Sequence, residues 1–330
     1  MKHAARGGTA LRNARAPFVG LLLALAATAA AGEPVALRWK LEPGQVVRYT
    51  LEQTTTLESK PEGGRGVHTE RRQAVDFHWT VASAAADAAD LKLAIDRVRV
   101  RIVGDGLPSP FEFDTAADGP RRDGPFTARL VDLLKGLAGS EVAFRMSARG
   151  EVGEVKLSEP LQTLIRQAGA IGGAAVFSEE GIRNLIIQAV PYLPEAPVET
   201  GATWSRQVAA PMPMLGALII DKTYTDRGPR PDEAGVHDVA VDTRFTVQQA
   251  PEAALEVKLL KHSGSGAFAF DARRGLVESG RLDDALTMAF SAQGQRVEQT
   301  TTARIELKLV PPAAGPAADA PPPPAPPTPR

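Results

Sequence analysis

Beyond residue 34 the chain alternates apolar and polar positions with a period of two. Val47, Tyr49 and Leu51 fall on one side of such a segment, with Arg48, Thr50 and Glu52 on the other. Val75, Phe77, Trp79 and Val81 make a second apolar set, opposed by Asp76, His78 and Thr80. Val239, Val241, Phe245 and Val247, then Leu255, Val257 and Leu259, then Leu286, Met288 and Phe290, and last Ile305, Leu307 and Leu309 repeat the pattern. This spacing predicts half-buried strands, and solvent-facing polar residues along each favour antiparallel pairing. One segment changes phase within itself. Leu91, Leu93 and Ile95 are odd-numbered, while Val98, Val100 and Ile102 are even-numbered. A register slip would turn every later side chain over, so a β-bulge near Asp96-Arg97 is predicted.

The middle of the chain reads as helix. Leu130, Val131, Leu133, Leu134 and Leu137 lie on one helical face within 126–137, and Pro125 suits a helix start. Leu161, Leu164, Ile165, Ala168 and Ile171 form a second face after Glu159-Pro160, with Gly172-Gly173 as its end. Ser178-Glu179-Glu180 opens a third, over Ile182, Leu185, Ile186 and Ala189, which stops before Pro191. The expected fold is therefore mainly β with helices (α+β): curved antiparallel sheet carrying a helical segment in mid-chain, roofed by it on one face. An internal echo adds the expectation of two duplicated halves. Ala143–Gly150 resembles Ala267–Gly275 with one residue inserted, and Leu41-Glu42-Pro43-Gly44 resembles Val198-Glu199-Thr200-Gly201.

The two ends of the sequence change this picture. Residues 1–17 carry Lys2, Arg6, Arg12 and Arg15 and no acid. An apolar run from Phe18 to Ala27 and the small residues Ala29-Ala30-Ala31-Gly32 follow. Such an order predicts a signal peptide over 1–32 and an exported protein, periplasmic or extracellular. Its removal takes four of 38 basic residues and none of 39 acidic ones, leaving a net charge of −5. That balance argues against nucleic acid as a partner. Residues 311–330 hold ten of the 27 prolines and read as a disordered Pro/Ala-rich tail. Between these ends the expected organisation is a β-rich half with one helix over 33–158, a helical segment over 159–194, and a second β-rich half over 195–310. No run after the signal is long and apolar enough for a transmembrane span.

Candidate chemistry is sparse. With no Cys, disulfides, thiolate metal sites and a cysteine nucleophile are excluded. His68, His78, His237 and His262 form no zinc-ligand pattern. His78 reads as a surface imidazole, and His237-Asp238 as part of an exposed loop. Ser263-Gly264-Ser265-Gly266 lacks the order of a nucleophile elbow and reads as a hairpin turn. No catalytic, cofactor-binding or metal-ligating residue is assigned, and no cofactor is expected.

The segment Leu37-Arg38-Trp39-Lys40-Leu41-Glu42-Pro43-Gly44-Gln45, with Arg48-Tyr49, resembles the start of a family of uncharacterised exported bacterial β-rich proteins. Pro194–Trp204, and Gly266–Gly275 with its Phe270-Asp271, resemble that family's later landmarks. The resemblance covers most of residues 35–310 and brings no activity with it. A curved sheet with helices is also similar, at the level of fold alone, to periplasmic lipoprotein carriers of the Lol type. The expectation is a non-enzymatic envelope protein that binds a lipid, another amphiphile, or an envelope protein. A hydrolase whose acids converge only in three dimensions and a scaffold without ligand are the alternatives. The expected site is an apolar cavity between sheet and helices, lined by Phe77, Trp79, Phe144, Leu164, Ile165, Leu185 and Ile186.

Overall fold

Alternating residues pair into one antiparallel sheet. The computed structural model describes residues 33–107, 109–117, 125–168, 183, 186–187, 190–212, 215–253 and 255–311. In chain order these form β1 (Val46–Pro61), β2 (Val67–Ala84), β3 (Ala88–Gly104), β4 (Phe111–Asp114), α1 (Pro125–Leu137), β5 (Glu141–Ser147), β6 (Val152–Leu157) and α2 (Glu159–Ala168). The second half holds β7 (Thr203–Met212), β8 (Gly216–Pro229), β9 (Val236–Gln249), β10 (Glu256–Asp271), β11 (Leu276–Ala292) and β12 (Gln295–Val310). The spatial order is β6-β5-β3-β2-β1-β12-β11-β10-β9-β8-β7, with β4 beside β3. Among the described residues the protein is thus mainly β, a single open sheet with helices α1 and α2 in mid-chain. Of the third predicted helix only Arg183, Ile186 and Ile187 are described, and they are helical. The signal region 1–32, the tail beyond Pro311 and the glycines at 169, 172 and 173 lie outside the described residues.

The predicted bulge is present. Asp76 pairs with Arg97 and Phe77 with Ile95, so Asp96 is the extra residue. Its carboxylate meets the His78 Nδ1 at 2.9 Å, which gives that histidine a partner. The bulge sits where β3 changes its neighbour, from β5 at residues 88–94 to β4 at residues 99–102. Val98 and Val100 then face Phe111, Phe113, Val131 and Leu134, a small second core that holds α1 on the sheet.

The Ser263–Gly266 expectation is corrected: β10 runs straight through these residues, pairing Gly264 with Asp284 and Gly266 with Leu282. Two glycines in a strand signalled a turn, but they serve close approach instead. A Cβ on Gly266 would lie 2.6 Å from the Leu282 side chain. His237 is also corrected, since it is buried in β9 and pairs with Asp226 Oδ1 at 3.1 Å rather than with its neighbour Asp238. Asp226 Oδ1 in turn accepts the Gly228 N–H at 3.1 Å, so this pair fastens the irregular end of β8.

Both halves run the same meander in the same direction across the sheet, and their turns are joined alike. Gly44 N–H donates to Val81 O at 2.9 Å, and Gly201 N–H to Asp226 O at 2.7 Å. Val81 N–H returns a bond to Gln45 O, and Asp226 N–H to Ala202 O. Ala148 in the β5–β6 turn donates to Asp87 O at 2.8 Å, as Ala272 in the β10–β11 turn does to Gly235 O at 2.8 Å.

The sheet is strongly curled. Laid flat, eleven strands would put its edges roughly 48 Å apart at about 4.8 Å per step. Instead Arg206 Nη1 on β7, one edge, donates at 3.3 Å to Gly150 O in the β5–β6 turn at the other. The Arg149 and Arg206 guanidiniums lie 4.7 and 5.0 Å from the Tyr192 ring centroid. Segment 35–41 crosses this closed end. Val35 bridges Val198, Trp39 N–H donates to Ala148 O and Lys40 N–H to Gly275 O. Leu37, Trp39, Tyr49, Phe77, Trp79, Phe144 and Phe270 fill the end as the main core, with Trp79 within 5.3–6.2 Å of the Trp39, Tyr49, Phe77 and Phe144 ring centroids. Full burial of such side chains is the dominant stabilising contribution here.

Candidate functional site

Strand alternation sends every second residue to the concave face, and the register aligns those residues into rows. Next to the closed end the row is apolar on the C-terminal side: Tyr224, Val241 and Leu282 lie in step with Ile305. One step towards the open end five strands, β7, β8, β9, β11 and β1, place a polar residue, as β2 does with Arg71. Arg206 pairs with Lys222, Lys222 with Thr243, Asp284 with Ala303, Ala303 with Thr55, and Thr55 with Arg71. Gly264 occupies the gap between Thr243 and Asp284. A Cβ there would lie 2.6 Å from Thr243 Cβ and 2.5 Å from Asp284 Oδ1, so these two side chains close over the glycine. One further step out the row is mostly apolar, with Val208, Ile220, Phe245, Leu286 and Leu57 beside His262 and Thr301. Leu218, Val247 and Met288 follow. Ile220 and Phe245 are buried, whereas Val208, Leu57, Leu218, Val247, Leu286 and Met288 are only half-buried.

The polar belt is costly to the fold. Lys222 is 8% exposed and Thr243 5%. Among the described residues no hydrogen bond or ion pair reaches the Lys222 ammonium. Thr243 Oγ1 and Asp284 Oδ1 are buried without a hydrogen-bond partner. Native proteins leave few such atoms, because desolvation is not repaid. Burial pushes the Lys222 ammonium below its ordinary pKa, against the attraction of Asp284. It likewise raises the Asp284 carboxyl, against Lys222. Arg206 is lowered by burial too, but it is committed to Gly150 O and the Tyr192 ring.

Behind the belt lies a cavity of 40 Å³, walled by Leu51, Val241, Phe268, Leu282, Ile305 and Leu307, with Lys222 on its rim. Gly280 contributes to the same wall. None of the seven residues expected to line a cavity borders this one. Phe77, Trp79, Phe144 and Ile186 are buried in the main core, Leu164 and Ile165 pack on it half-buried, and Leu185 lies outside the described residues. Lys222, Thr243 and Asp284 were not singled out by the sequence. The signal was available: each is polar at a position in phase with apolar neighbours, Ile220 and Tyr224, Val241 and Phe245, Leu282 and Leu286.

Among the described residues no cluster of His, Asp and Glu could hold a metal ion, and no helix is long and apolar enough to cross a membrane. No protein-family profile matches the chain, and no curated protein matches it. Solved structures similar to it include lipovitellin, from work on its lipid–protein interactions, at 16% identity and a TM-score of 0.47. That match covers 84% of this chain, which spans only 27% of the lipovitellin chain. DynF from the dynemicin biosynthesis pathway of Micromonospora chersina matches 84% of this chain and 86% of its own at 8% identity and TM-score 0.21. An outer membrane channel of Pseudomonas putida F1 matches 84% and 98% at 8% identity and TM-score 0.23. None reaches a TM-score of 0.5, and the likeness carries no functional inference.

Proposed function

We propose that this is an exported, non-enzymatic protein that binds a single-chain amphiphile on the concave face of its sheet. The observation that carries the reading is the order of rows at the open end: inward-facing apolar side chains left half-exposed, then a polar belt, then an apolar cavity. Such a surface pairs an apolar chain with one polar group, the design of a small-molecule site. The basic and apolar start of the sequence, with its A-x-A site, supports export. The fold analogy with Lol-type carriers belongs to the same reading. Native mass spectrometry of protein purified from its own envelope tests it. The expected result is a retained mass of a few hundred daltons that is lost on delipidation. Bare protein from the envelope, together with no uptake of decanol or decanoate by the delipidated protein, overturns the reading.

The matching turn hydrogen bonds further support two halves derived from one unit. If so, the Ser147–Gly150 turn should accept the five-residue Asp271–Gly275 sequence and keep the fold. Loss of cooperative unfolding in that chimera would count against common descent of the turns.

A further inference from the structure

The belt holds more cationic than anionic charge. Arg206, Lys222 and Arg71 stand in one row of the concave face against a single carboxylate, Asp284. Asp284 comes within ion-pair distance of none of them, since the described ion pairs of the protein do not include it. Arg206 already spends its guanidinium on Gly150 O and the Tyr192 ring. Lys222 does not: it is 8% exposed, unpartnered, and borders the cavity. Beside it Thr243 Oγ1 offers an unused hydroxyl, and Asp284 Oδ1 an unused oxygen. A buried ammonium without a partner destabilises a fold unless something supplies the countercharge.

We propose that the bound amphiphile is an acyl carboxylate whose head enters first, its carboxylate held by the Lys222 ammonium and the Thr243 hydroxyl, and its chain lying along the half-buried Leu286, Val247 and Met288 towards the open end. This deepens the amphiphile reading above and rests on it. One ammonium and one hydroxyl, at paired positions of β8 and β9, match the two oxygens of a carboxylate. Asp284 Oδ1, buried and without a hydrogen-bond partner, is the row's one carboxylate, and burial raises its pKa.

Calorimetric titration of the full chain at pH 7.5 with decanoate, decanol and acetate tests the assignment. Decanoate should bind at least tenfold more tightly than decanol, because a charge-assisted contact in a desolvated site is lost with the alcohol. Acetate, with the head but no chain, should bind at least tenfold more weakly than decanoate. In Lys222→Met the ratio of decanoate to decanol affinity should fall to near one. Thr243→Val, nearly isosteric, should lower it severalfold, and it serves if the lysine variant does not fold. Equal affinity of the wild type for decanoate and decanol would overturn the carboxylate head and leave the amphiphile reading standing. Acetate as tight as decanoate would replace the acyl ligand with a small carboxylate. No binding of either ten-carbon compound would end both. A preference that survives in Lys222→Met and Thr243→Val alike would remove these residues as the contacts.

Discussion

Gly280 lies on the cavity wall with an open position where a side chain would be. A Cβ there would meet Phe268 Cβ at 3.4 Å, Ala267 O at 3.9 Å and Leu307 Cβ at 4.0 Å, all ordinary contacts. Alanine therefore fits, and it removes backbone freedom from the unfolded chain. Gly280→Ala should raise stability by about 0.4–1 kcal/mol in denaturant titration while weakening decanoate binding by narrowing the cavity. A stabilised variant that binds as well as the wild type would show that the cavity takes no part in binding. At this scale the sequence was half legible. Tyr49, Phe77 and Trp79 were readable as inward because each keeps the phase of its strand. Lys222, Thr243 and Asp284 keep the same phase, but their joining into one belt depends on the register of β8 with β9 and of β10 with β11. Register is a tertiary property, and no single strand carries it.

Among elements, β3 shows where pattern alone was sufficient. Its phase change located the bulge because both of its apolar sets must face the same concave surface. Removing Asp96 would leave Phe77 opposite Ile95 and Asp76 opposite Arg97, so the ladder closes without a slip. Removing Arg99, inside the regular ladder, turns Val100 and Ile102 away from Phe113 and Phe111. Deletion of Asp96 should cost about 1–3 kcal/mol, and deletion of Arg99 should exceed about 4 kcal/mol or abolish folding. Circular dichroism melts of both variants check the order, and an equal loss would contradict it.

The same strand carries a pH-dependent clasp. Arg97 Nε donates to Asp114 Oδ1 at 2.9 Å, and that hydrogen bond, with the Ala116 N–H, holds the Asp114 carboxyl at about 2 against an ordinary 3.8. The folded form thus keeps its carboxylate charged where the unfolded chain takes up a proton. The clasp contributes fully above pH 3.8 and is lost as pH falls towards 2. Thermal melts should show wild type losing more stability than Asp114→Asn between pH 4 and pH 2. Parallel curves would exclude the clasp. By contrast, the alternation hid His237, because a polar residue beside an acid-rich turn reads as loop until Asp226 is brought across from β8.

For the molecule as a whole, the sheet has two ways of keeping its edges from pairing with other chains. On β7 one edge carries Pro211, which has no N–H to offer. On β6 the other is bulged between Ala143 and Arg145 opposite, with Glu154 at a φ of 49°. The chain's own order creates a further edge, one that exists only in time. β1, at the start of the described chain, and β12, at its end, are neighbours in the middle of the sheet. About 230 residues separate Pro61 from Gln295. At about 5–20 residues per second, a ribosome needs roughly 12–46 s to supply β12 after β1 is complete. Through that interval the open side of β1 is a long template for pairing with any other nascent strand. A chain ending at Ala292 makes the interval permanent and should aggregate, as light scattering would show; a soluble monomer would refute this. The position of β12 therefore predicts that holding the chain unfolded until its last strand is made favours correct assembly.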